Sequence, residues 1–370
     1  MRPTEDAPVV AGVAPAPMPQ QLRPVIDAAR GIDELADAAA RIPPAAAAVV
    51  AGWRDRSATD AQDVQALTSL VSGLNDEVTR RVVQALAAEC GVDLGQACWL
   101  TFGSQARGEQ TLVTDQDNGL VFAADGEAEA AARRPAWQAF GRRVNDALAR
   151  CGYALCDGLV MAGQPLCCLS PAEWCARFEH WMAHGSGNDL FAARIYFDLR
   201  PLAGNTALAR PLVELLRSPA AAVPRFVKQM ADIVLCNHVP LNWLGQVVTT
   251  AREGQPMFDL KMSGTALFVD AGRLWALAHR LDEVGTAPRL RAAAHALRVP
   301  APEAAEWEAG FQALQKLRLD AQRRVLGSAA APQRAWVRWA DLGEDARRDL
   351  KRALRAARLV QQRITLDYCR

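Results

Sequence analysis

Between two apolar runs the chain reads Gly103-Ser104-Gln105-Ala106-Arg107-Gly108-Glu109-Gln110 and then Thr114-Asp115-Gln116-Asp117-Asn118. This stretch offers what phosphate chemistry needs. A Gly-Ser turn directly after a strand lets backbone N–H groups and a hydroxyl approach a phosphate closely, because glycine has no Cβ to hold it off. Asp115 and Asp117 stand at i and i+2, and on an extended chain such residues point to the same side, so both carboxylates aim at one point. Two hard oxygen donors side by side suit Mg²⁺ (or Mn²⁺), which keeps water and triphosphate oxygens as its other ligands. Metal-assisted phosphoryl or nucleotidyl transfer needs that arrangement. Asp-x-Asp alone is most often a solvated turn. The restrictive feature is the whole order: apolar strand, Gly-Ser, Arg and Glu, Thr-Asp-x-Asp, apolar strand.

The elements that must hold these residues are legible around them. Ala97–Phe102 is a short apolar run that fits a buried strand, Leu120–Ala123 is a second, and Tyr153–Met161 is predicted as a third. The alanine-rich stretch 127–150 predicts a helix between the second and third. Strand, turn, strand, helix, strand describes a small α/β unit with a mixed sheet. Upstream, from Gln21 to Cys90, apolar residues recur at helical spacing, with breaks expected at Pro43-Pro44 and around 54–58. Downstream of about residue 172 the helical period returns. Breaks at Pro201–Gly204, Pro219–Pro224, Gly254–Pro256, Gly285–Pro288, Pro300–Pro302 and Gly327–Pro332 imply six or seven helices. The expected fold class is α+β: a small mixed-sheet catalytic domain over 93–171, flanked by an N-terminal helical segment (21–92) and a C-terminal helical bundle (172–370). Residues 1–20, with five prolines, are expected to be a disordered tail.

Composition excludes more than it proposes. Apolar residues make up 51% and charged residues 22%, which excludes a wholly disordered or collagen-like chain. The net charge of +1 gives no global field for nucleic acid, so no specific nucleic-acid partner is expected. No run is long and apolar enough for a membrane span. The start MRPTEDAPVV lacks the basic and apolar regions of a secretory signal, and a cytoplasmic location is expected. The nine cysteines include no CxxC pair and are expected to be reduced and buried; the spacing of Cys167, Cys168, Cys175 and His180 fits no common zinc pattern.

The string GSQARGEQTLVTDQDNGLVF resembles the signature of the DNA polymerase beta-like nucleotidyltransferase superfamily, and within it the nucleotidyltransferases related to protein-PII uridylyltransferase and glutamine synthetase adenylyltransferase. The resemblance extends through most of the chain. Leu70–Asp76 is similar to the helix ahead of the catalytic domain. Asp157–Ala162, Phe197–Gly204, Asp259–Lys261 and Leu317–Gln322 are similar to the family's downstream and substrate-binding segments. The resemblance implies that Gly103 and Ser104 hold the triphosphate of an NTP with Arg107 as a charge clamp, and that Asp115 and Asp117 bind the metal. It further implies that Glu109 and Gln110 belong to the site, with Glu109 positioning Arg107 or shaping the loop, and that Thr114 and Asn118 orient the carboxylates. Such enzymes use a third carboxylate. Asp157, in the predicted third strand, is the first candidate and Asp198, in a segment that looks helical, the second.

The implied activity is transfer of UMP or AMP from an NTP to an acceptor hydroxyl, on a PII-like regulatory protein in signal transduction or on a small molecule. The other reading is a nucleotide-binding regulator without turnover. The family's cyclic-nucleotide-binding, CBS and nucleotide-removing HD-type modules are not expected here. Three clustered anions should raise the pKa of at least one of them. Remaining candidates have plainer readings: His180 and His184 as surface residues, Trp174 and Trp181 as a core stripe, the arginines of 347–358 as a solvated face, and Asp259 and Lys261 as candidates to line the cleft.

Overall fold

The computed structural model describes residues 18–53, 61–327 and 336–369. Its centre is a four-stranded sheet made of Ala97–Phe102 (β1), Asn118–Phe122 (β2), Cys168–Leu169 (β3) and Leu199–Gly204 (β4), in the order β3-β2-β1-β4. β1 pairs antiparallel with both β2 and β4, and β2 pairs parallel with β3. Side-chain alternation explains why β1 and β2 read as unbroken apolar runs. Cys98, Leu100, Phe102 and Val121 enter a core shared with the C-terminal helices. Ala97, Trp99, Leu120 and Phe122 enter another, shared with the N-terminal helices. A strand buried on both faces has no polar positions to alternate.

The N-terminal core is built from Arg23–Ala28 (α1), Ile32–Ala39 (α2), Ile42–Gly52 (α3) and Ala61–Cys90 (α4). The break expected at Pro43-Pro44 falls just before them, between Ala39 and Ile42. Both prolines sit in the first turn of α3, where a missing N–H leaves no intrahelical bond unmade. The break expected at 54–58 lies outside the described residues, as do residues 1–17 of the predicted tail. Pro19 and Leu22 belong to a buried 3₁₀ turn, so the tail expectation fails at its last residues. After β1 come the single turn Gly103–Ala106 (α5) and the long helix Glu127–Arg150 (α6), which packs on α4.

The C-terminal half contains Pro171–His184 (α7), Gly187–Ala193 (α8), Arg210–Leu216 (α9), Pro224–Cys236 (α10), Ala266–His279 (α11), Thr286–Ala296 (α12), Ala301–Val325 (α13) and Glu344–Tyr368 (α14). Ser170 and Glu173 open α7 with a reciprocal capping box. The expected six or seven helices are eight among the described residues, because several are short. Two expected breaks are strands instead. Pro201–Gly204 lies inside β4, an edge strand that tolerates proline. Gly254–Pro256 belongs to a hairpin of Thr250–Arg252 (β5) and Gln255–Asp259 (β6), turned by Glu253 and Gly254 at φ 51° and 72° and completed by Trp336–Arg338 (β7).

Two further expectations are corrected here. Tyr153–Met161 is not a strand: it runs as turns, with a single parallel bridge between Asp115 and Ala154. The parallel partner of β2 comes later, as β3. The segment around Asp198 is not a regular helix either. A 3₁₀ turn over Arg194–Phe197 leads into β4, so the sheet takes its fourth strand from beyond the boundary expected at residue 171. Among the described residues no helix is long and apolar enough to cross a membrane.

Candidate active site

An open cleft lies where the turn after β1 meets α11 and α13. Gly103, Ser104, Arg107, Glu109, Thr114, Asp115 and Asp117 line it from the sheet side. Arg194, Lys261, Asp270, Arg273 and Arg318 are the charged residues that line it from the other. Gly103 takes φ +56°, and a Cβ built there would stand 2.8 Å from Asp117 Oδ2. Only glycine lets the turn pass so close to the carboxylate. Ser104 makes no side-chain hydrogen bond among the described residues and is left to face the cleft.

Asp115 and Asp117 share this cleft because the segment carrying them is extended. Gln116 N–H donates to Ala154 O at 2.8 Å and Phe102 N–H donates to Asp117 O at 2.9 Å. Between the two aspartates, Gln116 points the other way and donates to the carbonyls of Asn145 and Tyr153, each at 3.0 Å. Asp117 is buried, and burial followed by the charge on Asp115 pushes its carboxyl up to about 6. Asp115 is half-exposed, with Lys261 Nζ at 3.8 Å from Oδ2. Lys261 sits on a π-helical turn, Lys261–Thr265, that Asp259 holds by accepting from the backbone N–H groups of Lys261 and Met262, both at 2.9 Å.

The loop between turn and carboxylates is anchored by a polar stripe on α4. Gln110 N–H donates to Ser72 Oγ at 2.9 Å, Asn75 Nδ2 donates to Gln110 Oε1 at 3.1 Å, and Gln110 Nε2 donates to Thr114 Oγ1 at 3.0 Å. Gln105 Nε2 donates to Asp76 Oδ1 at 3.1 Å and Thr79 Oγ1 at 3.2 Å. On the opposite side Glu109 accepts from the N–H and hydroxyl of Thr286 and from Arg107 Nε at 2.7 Å. Beneath the cleft lies Asp198, fully buried, with Arg107 at 2.5 Å, Arg273 at 2.6 Å and Arg289 in direct contact. Burial opposes its charge, but Arg273, Arg289 and Arg107 together outweigh that and hold its carboxyl well below the usual range.

Residues 54–188 match the family described as nucleotidyltransferase DUF294, and residues 224–368 match a nucleotidyltransferase substrate binding domain. This chain belongs to that nucleotidyltransferase family. A search of curated proteins finds no match for it. The first matched region contains α4, β1, the Gly-Ser turn, both aspartates and α6; the second contains the cleft-facing parts of α11 and α13. The family assignment supports a role in nucleotidyl transfer, and the cleft lies between the two matched regions.

Within this nucleotidyltransferase the candidate residues divide. Gly103, Ser104, Arg107, Glu109, Thr114, Asp115 and Asp117 meet at one cleft. Gln110 does not reach it; it braces the loop against α4. Asn118 also faces away, one residue past Asp117, where its Oδ1 accepts from Asn145 Nδ2 at 2.9 Å and from Ala162 N–H at 2.8 Å. Asp157 is exposed in a turn and does not line the cleft. Its neighbour Cys156 is the residue that meets Asp117, through a side-chain hydrogen bond, with the thiol pushed up to about 12 by burial and by Asp117. Asp198 is not a free carboxylate, since arginines surround it. Among the described residues no group of three His, Cys, Asp or Glu could hold a metal. The pair Asp115–Asp117 still suits Mg²⁺ or Mn²⁺ as a two-ligand site: its donors are all hard oxygen, and both residues line the same cleft.

Sequence reasoning missed Ser72, Asn75, Asp76 and Thr79 as loop anchors, although polar residues at i, i+3, i+4 and i+7 among apolar ones were a visible signal. It also missed Arg273 and Arg289, which carry no local motif, and gave Arg318 no role of its own although it stands within Leu317–Gln322. His180 and His184 are exposed, and Trp174 and Trp181 lie in an aromatic cluster with Phe178, Tyr196 and Phe197, as expected.

Proposed function

We propose that the chain is a divalent-metal-dependent nucleotidyltransferase that moves UMP or AMP from an NTP to an acceptor hydroxyl on a regulatory protein, as protein-PII uridylyltransferases do. The observation that carries this reading is the meeting of Asp115, Asp117 and the Gly103-Ser104 turn in one cleft. Asp115 and Asp117 would hold Mg²⁺, which supplies charge neutralisation at the reacting phosphate. Gly103 and Ser104 receive the triphosphate where no Cβ intervenes. Arg107, fixed by Glu109 and Asp198, presents a positive charge that cannot swing away. In the transfer the acceptor oxygen bonds the α-phosphorus, the bond from that phosphorus to its bridging oxygen breaks, and pyrophosphate leaves with the electron pair. The acceptor's proton passes to a carboxylate of the pair.

The test is incubation of the purified protein with each labelled NTP and Mg²⁺ in cell lysate, followed by identification of the labelled species. Label on a protein or small molecule, lost in both Asp115→Asn and Asp117→Asn, supports the reading; label retained in both variants refutes it. One observation favours a second reading, a nucleotide-binding regulator: no third carboxylate joins the pair among the described residues. Mg²⁺-dependent NTP binding without any labelled product would decide for the regulator.

A further inference from the structure

Every arginine lining the cleft has an acidic partner except one. Arg107 contacts Glu109 and Asp198, Arg273 contacts Asp198 and Asp270, and Arg194 stands 3.8 Å from Asp270. Arg318, on α13 in the second matched region, has no carboxylate within 4 Å among the described residues. Its Nη1 donates to the neutral Gln315 Oε1 at 2.8 Å and more weakly to Thr265 Oγ1 at 3.5 Å. Its buried Nε has no hydrogen-bond partner among the described residues. Burial, and then the like charge of Arg107, lower its pKa to about 10, so it remains a cation at neutral pH. A half-buried guanidinium with no carboxylate in contact works against folding unless a ligand satisfies it. The planar fork of an arginine matches a phosphate better than any other anion-binding side chain.

We propose that Arg318 binds the β- and γ-phosphates of the nucleotide, so that the helical domain takes part of the NTP and stabilises the departing pyrophosphate. This rests on the nucleotidyl-transfer reading and deepens it. The site then has two halves. The Gly103-Ser104 turn and the aspartates act at the reacting phosphate, while Arg318 answers the charge that develops on the leaving group. Nucleotide thereby joins the two matched regions across the cleft. Gln315 orients the guanidinium, and Gln315 Nε2 also reaches Glu109 O at 3.5 Å, which ties Arg318 to the loop that carries Arg107.

The test is calorimetric titration of wild type, Arg318→Met and Arg318→Lys with Mg²⁺-tripolyphosphate, with each common NTP, and with the corresponding NMPs. Arg318→Met should weaken tripolyphosphate and NTP binding by about tenfold or more, as loss of one charged contact does. It should leave NMP binding unchanged, and Arg318→Lys should recover part of the loss. Ligand-free Arg318→Met should unfold at no lower denaturant than wild type, since the methionine removes a charge that no carboxylate contacts among the described residues; this separates a binding role from a structural one. Equal tripolyphosphate affinity in wild type and Arg318→Met, or equal losses for NMP and NTP, would overturn the inference and leave the nucleotidyl-transfer reading standing. A wild-type protein that binds neither tripolyphosphate nor any nucleotide would overturn that reading itself.

Discussion

Replacing Asp117 by asparagine should stabilise the metal-free protein while removing its activity. The carboxyl is buried against Asp115, and its pKa moves from 3.8 to about 6. The folded protein thus holds this proton more tightly than the unfolded chain, so ionisation of Asp117 works against folding. The penalty is absent below about pH 4, where both states are protonated, grows between pH 4 and 6, and is constant above. At 1.36 kcal/mol for each pH unit it amounts to about 3 kcal/mol at neutral pH, an upper figure. Asparagine keeps the volume and still accepts from the Cys156 thiol, so little offsets the gain.

The assay is urea denaturation of wild type and Asp117→Asn in EDTA at pH 7.5 and pH 4. Titrating groups far from Asp117 cancel in the difference, because the substitution leaves them unaltered. The variant should be more stable by about 1–3 kcal/mol at pH 7.5 and nearly equal to wild type at pH 4. Added Mg²⁺ should narrow or reverse the order, since it stabilises only the form that binds it. A variant less stable than wild type at pH 7.5 in EDTA would refute the reasoning, as would a difference that does not change with pH.

Asp198→Asn should behave in the opposite way, destabilising by about 3–5 kcal/mol, because Arg107, Arg273 and Arg289 lose their shared anion; denaturant midpoints measure it. Because the Asp198 carboxyl is held low, its contribution is complete above about pH 4 and is lost only as pH falls below that. Gly103→Ala should strain the turn by about 1–2 kcal/mol and set a methyl against Asp117, so calorimetry should show weakened NTP binding with the circular dichroism spectrum retained. Asp157→Ala, in an exposed turn, should leave both stability and turnover within about twofold of wild type, in contrast to Asp115→Asn.

The site was more legible than the fold around it, for physical reasons. Asp115 and Asp117 could be placed together because the two-residue period of an extended chain is a local rule. The same rule misplaced Asp157. A strand was expected over Tyr153–Met161, yet these residues make one bridge and then turn, and the side chain presented to Asp117 is Cys156. One residue of register moves a carboxylate from the cleft to solvent. Asn118 failed in the same way, as the odd member of an even set. The helical look of Ile195–Arg200 reflected apolar spacing alone, whereas β4 is dictated by pairing with β1, a contact about a hundred residues away in sequence. The arginines around Asp198 come from three separate elements and have no spacing to detect.

The buried charges sort into two kinds, and the sorting bears on function. Asp198 is surrounded by cations, Asp76 is paired with Arg200 at 2.7 Å, and Asp270 lies against Arg273 at 2.5 Å. Each of these carboxylates has a nearby cation, and each joins segments distant in sequence or adjacent helical turns. Asp117 and Arg318 differ: one crowds a like charge and the other has no carboxylate in contact among the described residues. They line the same cleft with opposite signs. A cation beside the carboxylates and a polyanion beside the guanidinium would satisfy both at once, which a metal–triphosphate does in a single ligand. Local conflicts with stability of this kind are expected where a sequence is selected for chemistry. They favour an NTP-handling site over a merely structural cluster of charges.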